Sequence, residues 1–451
     1  MARLFGTDGV RGIANKELDC ELAYKIGQAG AQVLTSAVHR PKILIGHDTR
    51  ISSDMLSSAL QAGICSVGAE AVLAGALPTP GIAHLTCAYD ADGGVMISAS
   101  HNSFEYNGIK WFNGEGYKLS DALEDEIEAI INTPEKRMPL PLGGDVGRVV
   151  HTSNTAETYI SHLVSLGSDL SGLKVVLDCA NGAASAIAPE VFTRLGARVF
   201  SYFNMPDGTN INDNCGSTKP GRMQQMVIER GADIGLAFDG DADRLIAVDE
   251  YGVLVDGDRT MAICAMDMKK RGVLAKDTVV ITVMSNMGMK LTLQEQGIKT
   301  VSTTVGDRYV LECMLENGYV LGGEQSGHII FSQHATTGDG ILSALLLTSV
   351  LAGSGQKLST LSRAVKIFPQ VQINVQVAND KKNLFSENAA IIERIAQSER
   401  KMGDKGRVLV RTSGTEPLVR VMLEGEDDDL IKLEGIEIAQ LIADVYDGKL
   451  K

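Results

Sequence analysis

Three times along the chain a short β-branched run is followed by a polar or glycine-bearing loop, a helical pattern and a second apolar run. No other feature limits the fold as strongly. The first copy runs from residues 42–50 (KILIGHDTR) through the helical stretch 52–68 to 69–75 (AEAVLAG). The second starts at 173–185 (LKVVLDCANGAAS), continues in a helix ending near Gly196 and closes on 197–203 (ARVFSYF). The third starts at 277–288 (DTVVITVMSNMG), with a helix ending near Gly297 and the run 298–309 (IKTVSTTVGDRY). Each copy predicts a β-α-β unit, so the expected fold is α/β with three related α/β domains. The last segment breaks the pattern: two strand-like runs, 408–411 and 418–426, flank a tight turn, and a helical stretch, 428–446, follows. It predicts a smaller C-terminal α+β domain.

A length of 451 residues suits three or four domains at about 150 residues each. A proline- and glycine-rich stretch over residues 133–147, after an acidic amphipathic helix, reads as the first linker. The expected domains span residues 1–148, 149–253, 254–367 and 368–451. Lys plus Arg number 42 against 56 Asp plus Glu, a net charge of −14, and no basic run offsets it, which argues against nucleic acid as a partner. Small anionic substrates remain compatible, because a few arginines decide the potential inside a cleft. The seven cysteines are widely spaced without a CxxC pair, as in a reducing compartment. The start MARLFGTDGVRG has no apolar signal core, and the most apolar stretch, 341–352, is too short to cross a bilayer. A soluble cytoplasmic protein is expected.

Asp239, Asp241 and Asp243 stand in DGDADR between the strand-like runs GLAF and LIAV. Three carboxylates at this spacing fit a solvated acidic turn or, better in a hairpin that is otherwise apolar, a site where they turn toward one hard divalent cation, Mg²⁺ or Ca²⁺, whose charge offsets their repulsion. An EF-hand is excluded: Arg244 occupies the sixth position, where the loop needs glycine, although Glu250 falls at the twelfth. Ser98, Ser100 and His101 follow the strand-like VMIS in a small-residue turn, which fits an exposed nucleophile or plain local hydrogen bonding. GGEQSGH, residues 322–328, gathers Glu324, Gln325, Ser326 and His328 in a flexible loop; it fits a plain surface turn or a site with the polar groups that sugar hydroxyls require. RTSGTEP, residues 411–417, offers Arg411, Ser413, Gly414 and Thr415, with Arg420 one strand later; it fits a phosphate cradle or a simple hairpin turn.

The four motifs SASHN, DGDADR, GEQSGH and RTSGTEP, in this order across the whole chain, resemble the functional loops of the α-D-phosphohexomutase superfamily. The opening FGTDGVRG and Gln325 resemble its amino-sugar branch. The resemblance implies four domains around a central cleft, the last similar to the TATA-binding-protein fold. It implies Ser100 as a phosphoserine whose phosphate completes a Mg²⁺ site with Asp239, Asp241 and Asp243, one ion per active site. Arg244, Lys110, Arg11 and His101 would line the transferring group. Glu324, Ser326 and His328 would bind the sugar, and Arg411, Ser413, Gly414, Thr415 and Arg420 the non-reacting phosphate. The implied reaction interconverts glucosamine 6-phosphate and glucosamine 1-phosphate through a bisphosphate, on the route to UDP-N-acetylglucosamine. A hexose 1,6-bisphosphate would prime it, and the enzyme would be a homodimer with no membrane partner. A glucose or mannose mutase and a metal-dependent sugar phosphatase are the alternatives. One departure stands out: the family usually has proline after SASHN and aspartate before NGIK, where Ser103 and Tyr106 stand here. Without proline the loop loses a fixed φ angle.

Overall fold

A computed structural model describes residues 3–6, 8–34, 40–413 and 416–451. The first sheet holds β1 (Val10–Ile13), β2 (Lys42–His47), β3 (Glu70–Ala76), β4 (Gly93–Ile97), β5 (Tyr106–Asn113) and β6 (Val149–His151), in the order β1-β5-β4-β2-β3-β6. The second holds β7 (Lys174–Asp178), β8 (Arg198–Tyr202), β9 (Ile234–Phe238), β10 (Leu245–Asp249) and β11 (Leu254–Val255), in the order β11-β10-β9-β7-β8. The third holds β12 (Thr278–Thr282), β13 (Lys299–Thr303), β14 (Leu321–Gly323) and β15 (Ile329–Phe331), in the order β13-β12-β14-β15.

One topology underlies all three. The opening strand of each repeat (β2, β7, β12) lies parallel to the next two (β3 and β4, β8 and β9, β13 and β14), and a fourth strand pairs antiparallel with the third. The inner strands β4, β9 and β12 are buried at every residue, as expected where helices cover both faces of a parallel sheet. The hairpins from third to fourth strand, β4–β5, β9–β10 and β14–β15, carry SASHN, DGDADR and GEQSGH respectively. Three motifs far apart in sequence therefore occupy one structural position at the carboxyl ends of parallel strands, where open α/β sheets bind ligands.

Two short edge strands lie beyond the runs read from sequence. Val149–His151 adds to the first sheet through β3, and Leu254–Val255 to the second through a β10–β11 hairpin turning at Tyr251–Gly252. The apolar stretch near residue 341 is the helix Gly340–Ser354. Asp339 caps it by accepting the Leu342 N–H at 2.8 Å, and Gly355 ends it in a left-handed conformation. It is apolar on all sides because it packs against the helices Thr155–Leu166, Ala184–Arg194 and Gly257–Lys270 and against β9, β10 and β15. No helix among the described residues is long and apolar enough to cross a membrane.

These three sheets belong to a unit formed by residues 1–284 and 296–364. A second unit comprises residues 285–295 and 365–451. Its sheet holds β16 (Gln370–Gln376), β17 (Gly406–Thr412), β18 (Leu418–Gly425) and β19 (Lys449–Leu450) in the antiparallel order β17-β18-β16-β19, covered by the helices Ala389–Met402 and Asp428–Tyr446. The helix Met287–Glu295, read in the sequence as part of the third repeat, groups with this unit. Its Met287 N–H donates to Glu424 at 2.8 Å, and the Asn286 side chain bonds both the N–H and C=O of Phe368 at 2.9 and 3.0 Å. Such polar ties to residues far along the chain leave no periodicity to read.

Candidate active site

In the first unit Ser100 opens the tight turn after β4, closed by the Asn102 N–H on Ala99 O at 3.1 Å, with φ of +51°, a left-handed conformation uncommon for a residue with a side chain. Buried hydrogen bonds hold it there. Its N–H donates to Ser98 Oγ at 2.9 Å, and Ser98 Oγ donates to Asp48 at 2.6 Å. Arg50, fully buried and ion-paired with Asp48 at 2.9 Å, donates to the carbonyls of Ser100 and Asn102, each at 2.9 Å, and of Ser103. Asn212, from the loop after β8, donates to the Ser100 and Asn102 carbonyls at 2.9 and 3.0 Å. The clamp reaches Ser103 itself, where the family pattern has proline. Gly240 allows the close approach of DGDADR, since a Cβ there would stand 2.6 Å from Ser100 O.

Ser100 Oγ donates to Asp239 Oδ2 at 2.6 Å and lies 3.4 Å from His101 Nδ1. Asp239, Asp241 and Asp243 are all buried, with ligand atoms within 4.8 Å of one another. Burial together with Asp243 and Asp241 pushes the Asp239 carboxyl well above the usual range. Asp241 Oδ2 accepts Thr79 Oγ1 at 2.6 Å and Lys110 Nζ at 2.9 Å. Among the described residues Asp241 Oδ1 and Asp243 Oδ1 are buried without a hydrogen-bond partner, as are Arg11 Nε and Arg244 Nε. Orphaned carboxylate oxygens call for a cation and orphaned guanidinium N–H groups for an anion. The donor set, all hard oxygens, fits a divalent metal ion beside a phosphate.

Burial disfavours the charge on Lys110, yet Asp241, Asp8 and Asp243 hold its pKa above the ordinary lysine value, so it stays an ammonium. Burial and the nearby Arg244 and Arg11 push His101 the other way, below the ordinary histidine value, so it is neutral near pH 7. Arg11 pairs with Asp8, and Arg244 lies 3.8 Å from Asp243.

The β14–β15 loop is tied to the aspartate loop by its backbone: the Leu245 N–H donates to Gly327 O at 3.0 Å, and Arg244 bridges to His328. Glu324 is half-buried and accepts the Gly306 N–H at 3.1 Å, and Ser326 is exposed at the loop tip. Gln325 turns away to Asp256 at 3.3 Å. His328 is buried, its Nε2 accepting the Gly338 N–H at 3.1 Å while Nδ1 faces Asp243 at 3.5 Å. Both ring nitrogens thus meet protein groups, and the ring sits against Asp243.

In the second unit, Arg411 and Arg420 stand directly opposite each other on β17 and β18. Like charges so placed repel unless an anion joins them. Burial and Arg420 lower the Arg411 pKa, and Arg420 pairs with Glu416 at 2.9 Å. Ser413 Oγ accepts the Glu416 N–H at 3.2 Å, and Lys382 donates to Ser413 O at 2.9 Å. Gly414 and Thr415 lie outside the described residues.

Sequence reasoning missed Asp8, Asp48, Arg50, Thr79, Lys118, Asn212 and Asp307. Lys118 bonds Asp8 at 2.7 Å and also pairs with Asp307, which lies 3.6 Å from His328 Nε2. Asp307 lies in the run GDRY, whose spacing carries no site signal.

Four family models described as phosphoglucomutase/phosphomannomutase domains match in order: α/β/α domain I over residues 2–138, domain II over 157–252, domain III over 256–368 and the C-terminal domain over 373–440. The chain belongs to the phosphoglucomutase/phosphomannomutase family, the α-D-phosphohexomutases. Within it, the chain is similar to curated phosphoglucosamine mutases. It is 56% identical over 444 residues to that of Acetivibrio thermocellus and 57% identical over 443 residues to that of Clostridium acetobutylicum, covering 98% of this chain and 99% of each relative. A solved phosphoglucomutase/phosphomannomutase family protein from Burkholderia thailandensis shares the fold at 22% identity and a TM-score of 0.83, covering 99% of both chains. Aspergillus fumigatus N-acetylphosphoglucosamine mutase, solved with GlcNAc-6P and magnesium, shares it at 17% identity and a TM-score of 0.67, covering 98% of this chain and 96% of that one.

Proposed function

We propose that the protein is a phosphohexomutase interconverting glucosamine 6-phosphate and glucosamine 1-phosphate through a phosphorylated Ser100. The observation that carries the carrier role is Ser100 Oγ, buried and 2.6 Å from an aspartate of a three-carboxylate cluster. Identity of 56–57% over nearly the whole chain to phosphoglucosamine mutases supports the amino-sugar substrate.

In the forward direction the 1-hydroxyl of glucosamine 6-phosphate attacks phospho-Ser100 and passes its proton to neutral His101; the P–O bond to Ser100 Oγ breaks. The resulting 1,6-bisphosphate turns over in the site. Ser100 Oγ, which left as the alkoxide, then takes the 6-phosphoryl group while His101 returns its proton to the departing sugar 6-oxygen, leaving glucosamine 1-phosphate, neutral His101 and a rephosphorylated serine. A divalent cation held by Asp239, Asp241 and Asp243, Mg²⁺ in this proposal, supplies positive charge to the phosphoryl oxygens. Lys110, Arg11 and Arg244 add fixed cations for the charge that develops on those oxygens. Glu324 and Ser326 hold sugar hydroxyls, His328 orients Asp243, and Arg411, Ser413, Gly414, Thr415 and Arg420 take the non-reacting phosphate. The reading includes four domains, one per sheet, and a cytoplasmic homodimer primed by a hexose 1,6-bisphosphate.

The test is turnover of purified protein with Mg²⁺, a trace of glucose 1,6-bisphosphate and, separately, glucosamine, glucose and mannose 6-phosphates, following 1-phosphate and free phosphate. Preferential formation of glucosamine 1-phosphate is expected. Ser100→Ala should abolish it while leaving the circular-dichroism spectrum unchanged; near-normal turnover by that variant sinks the mechanism, and release of free phosphate alone indicates a phosphatase.

A further inference from the structure

Glucosamine 6-phosphate differs from glucose 6-phosphate in carrying an amine, an ammonium when protonated, at C2. A site that prefers it needs an acceptor, best a carboxylate with a free oxygen, beside the sugar. Most carboxylates near Ser100 are already committed. Asp239, Asp241 and Asp243 form the cation site. Both oxygens of Asp8 are taken, Oδ1 by Lys118 at 2.7 Å and Oδ2 by Arg11.

Asp307 differs. It opens the helix Asp307–Asn317, whose preceding residue, Gly306, donates its N–H to Glu324, so this helix end abuts the GEQSGH loop. Among the described residues its polar contacts fall on one oxygen: Lys118 donates to Oδ2, and His328 Nε2 faces that same Oδ2 at 3.6 Å. Oδ1 receives no hydrogen bond from the described residues, and the side chain is 17% exposed. Its charge is only partly offset. Lys118 is shared with Asp8, and His328 is shared with Asp243, which its Nδ1 faces at 3.5 Å. Asp307 therefore combines a fixed negative charge, an open acceptor and a place between the phosphoryl-transfer residues and the sugar loop.

Resting on the proposed function, we propose that Asp307 is a specificity-determining residue that selects the amino sugar by accepting a hydrogen bond from its ammonium group on Oδ1. Lys118 holds the carboxylate in place from the opposite oxygen. Glucose 6-phosphate, with a neutral hydroxyl at the same carbon, loses the charge-assisted part of that bond.

The experiment measures kcat/KM for glucosamine 6-phosphate and glucose 6-phosphate with wild-type protein, Asp307→Asn and Glu324→Gln, across the pH range in which the substrate amine titrates. Asp307→Asn should lower the glucosamine-to-glucose ratio by roughly ten- to a hundredfold, chiefly through KM for the amino sugar, the range of a charge-assisted hydrogen bond. The wild-type ratio should fall as the amine deprotonates, and that limb should vanish in the variant. Equal losses on both substrates, or a ratio that moves only in Glu324→Gln, overturn the inference while leaving the mutase reading intact. Wild-type protein inert toward glucosamine 6-phosphate overturns both. If Asp307→Asn does not fold, the wild-type comparison decides: pH profiles of the same shape for the two substrates refute the role of the ammonium.

Discussion

Replacing Arg50 by lysine tests whether the buried clamp beneath Ser100 positions the nucleophile or merely supports the fold. The guanidinium bonds Asp48 through Nε and spreads its remaining donors over the carbonyls of Ser100, Asn102 and Ser103. A lysine ammonium on its single stem can keep the Asp48 pair but not this fork, so three bonds are lost. Two of the stranded carbonyls, Ser100 O and Asn102 O, keep Asn212 as a donor, which holds each loss near the ordinary net value of about 0.5–1.5 kcal/mol. The sum is roughly 2–4 kcal/mol. Arg50→Ala should cost more, because Asp48 would be left buried without a counter-charge, a penalty of about 3–5 kcal/mol by itself. With the left-handed turn at Ser100 loosened, Arg50→Lys should lower kcat roughly ten- to a hundredfold and change KM little, since small displacements of a reacting group have effects of that order. Steady-state assays of glucosamine 1-phosphate formation, paired with thermal unfolding, read both quantities. A lowered melting temperature with unchanged kcat would refute the positioning argument, and an unchanged melting temperature would refute the energetic one.

Two further outcomes follow from the same groups. Titrating Mg²⁺ into metal-free protein should raise the melting temperature, by the equivalent of about 2.7 kcal/mol at a hundred times Kd, and chelation should reverse this together with activity. Asp241→Asn should remove most of the shift; an undiminished shift would place the ion elsewhere. On the acid side, burial and the stacked ring of His162, 4.0 Å away, pull the His84 pKa from its ordinary 6.5 to about 4. The neutral ring is the form the fold favours, so this contribution is complete above pH 6.5 and is lost as pH falls toward 4, on the order of 1–2 kcal/mol after allowing for the ring's partial exposure. A stability-against-pH curve should flatten over that window in His84→Gln; an unaltered slope would contradict it.

The parts legible in the sequence were those with local signals. VMIS, GLAF and LIAV read as strands because apolar runs bounded by turn residues need no distant partner to be recognised; β9 and β10 contain GLAF and LIAV, and β4 contains VMIS up to Ile97, one residue short of Ser98. DGDADR was readable as a metal loop because all three carboxylates fall within five residues, and Arg244 ruled out the rival loop. Asp48, Arg50 and Asn212 were invisible for the opposite reason. Each is a single polar residue whose partner lies at Ser98 to Ser103, about 50 residues from Arg50 and more than 100 from Asn212. Gln325 shows a different limit: it was noticed as a mark of the branch, yet its side chain anchors the loop to Asp256. Position in a motif does not say which way a residue faces.

The helix Gly340–Ser354 carries a consequence for synthesis on the ribosome. The second sheet and the helices beside it leave the exit tunnel well before the helix that covers them is translated. Until then the nascent chain presents an uncovered apolar face on β9 and β10, and a chain arrested before residue 340 keeps that face exposed for good. Premature termination anywhere in the first three-quarters of the message therefore yields a client for chaperones and proteases and no partially active enzyme.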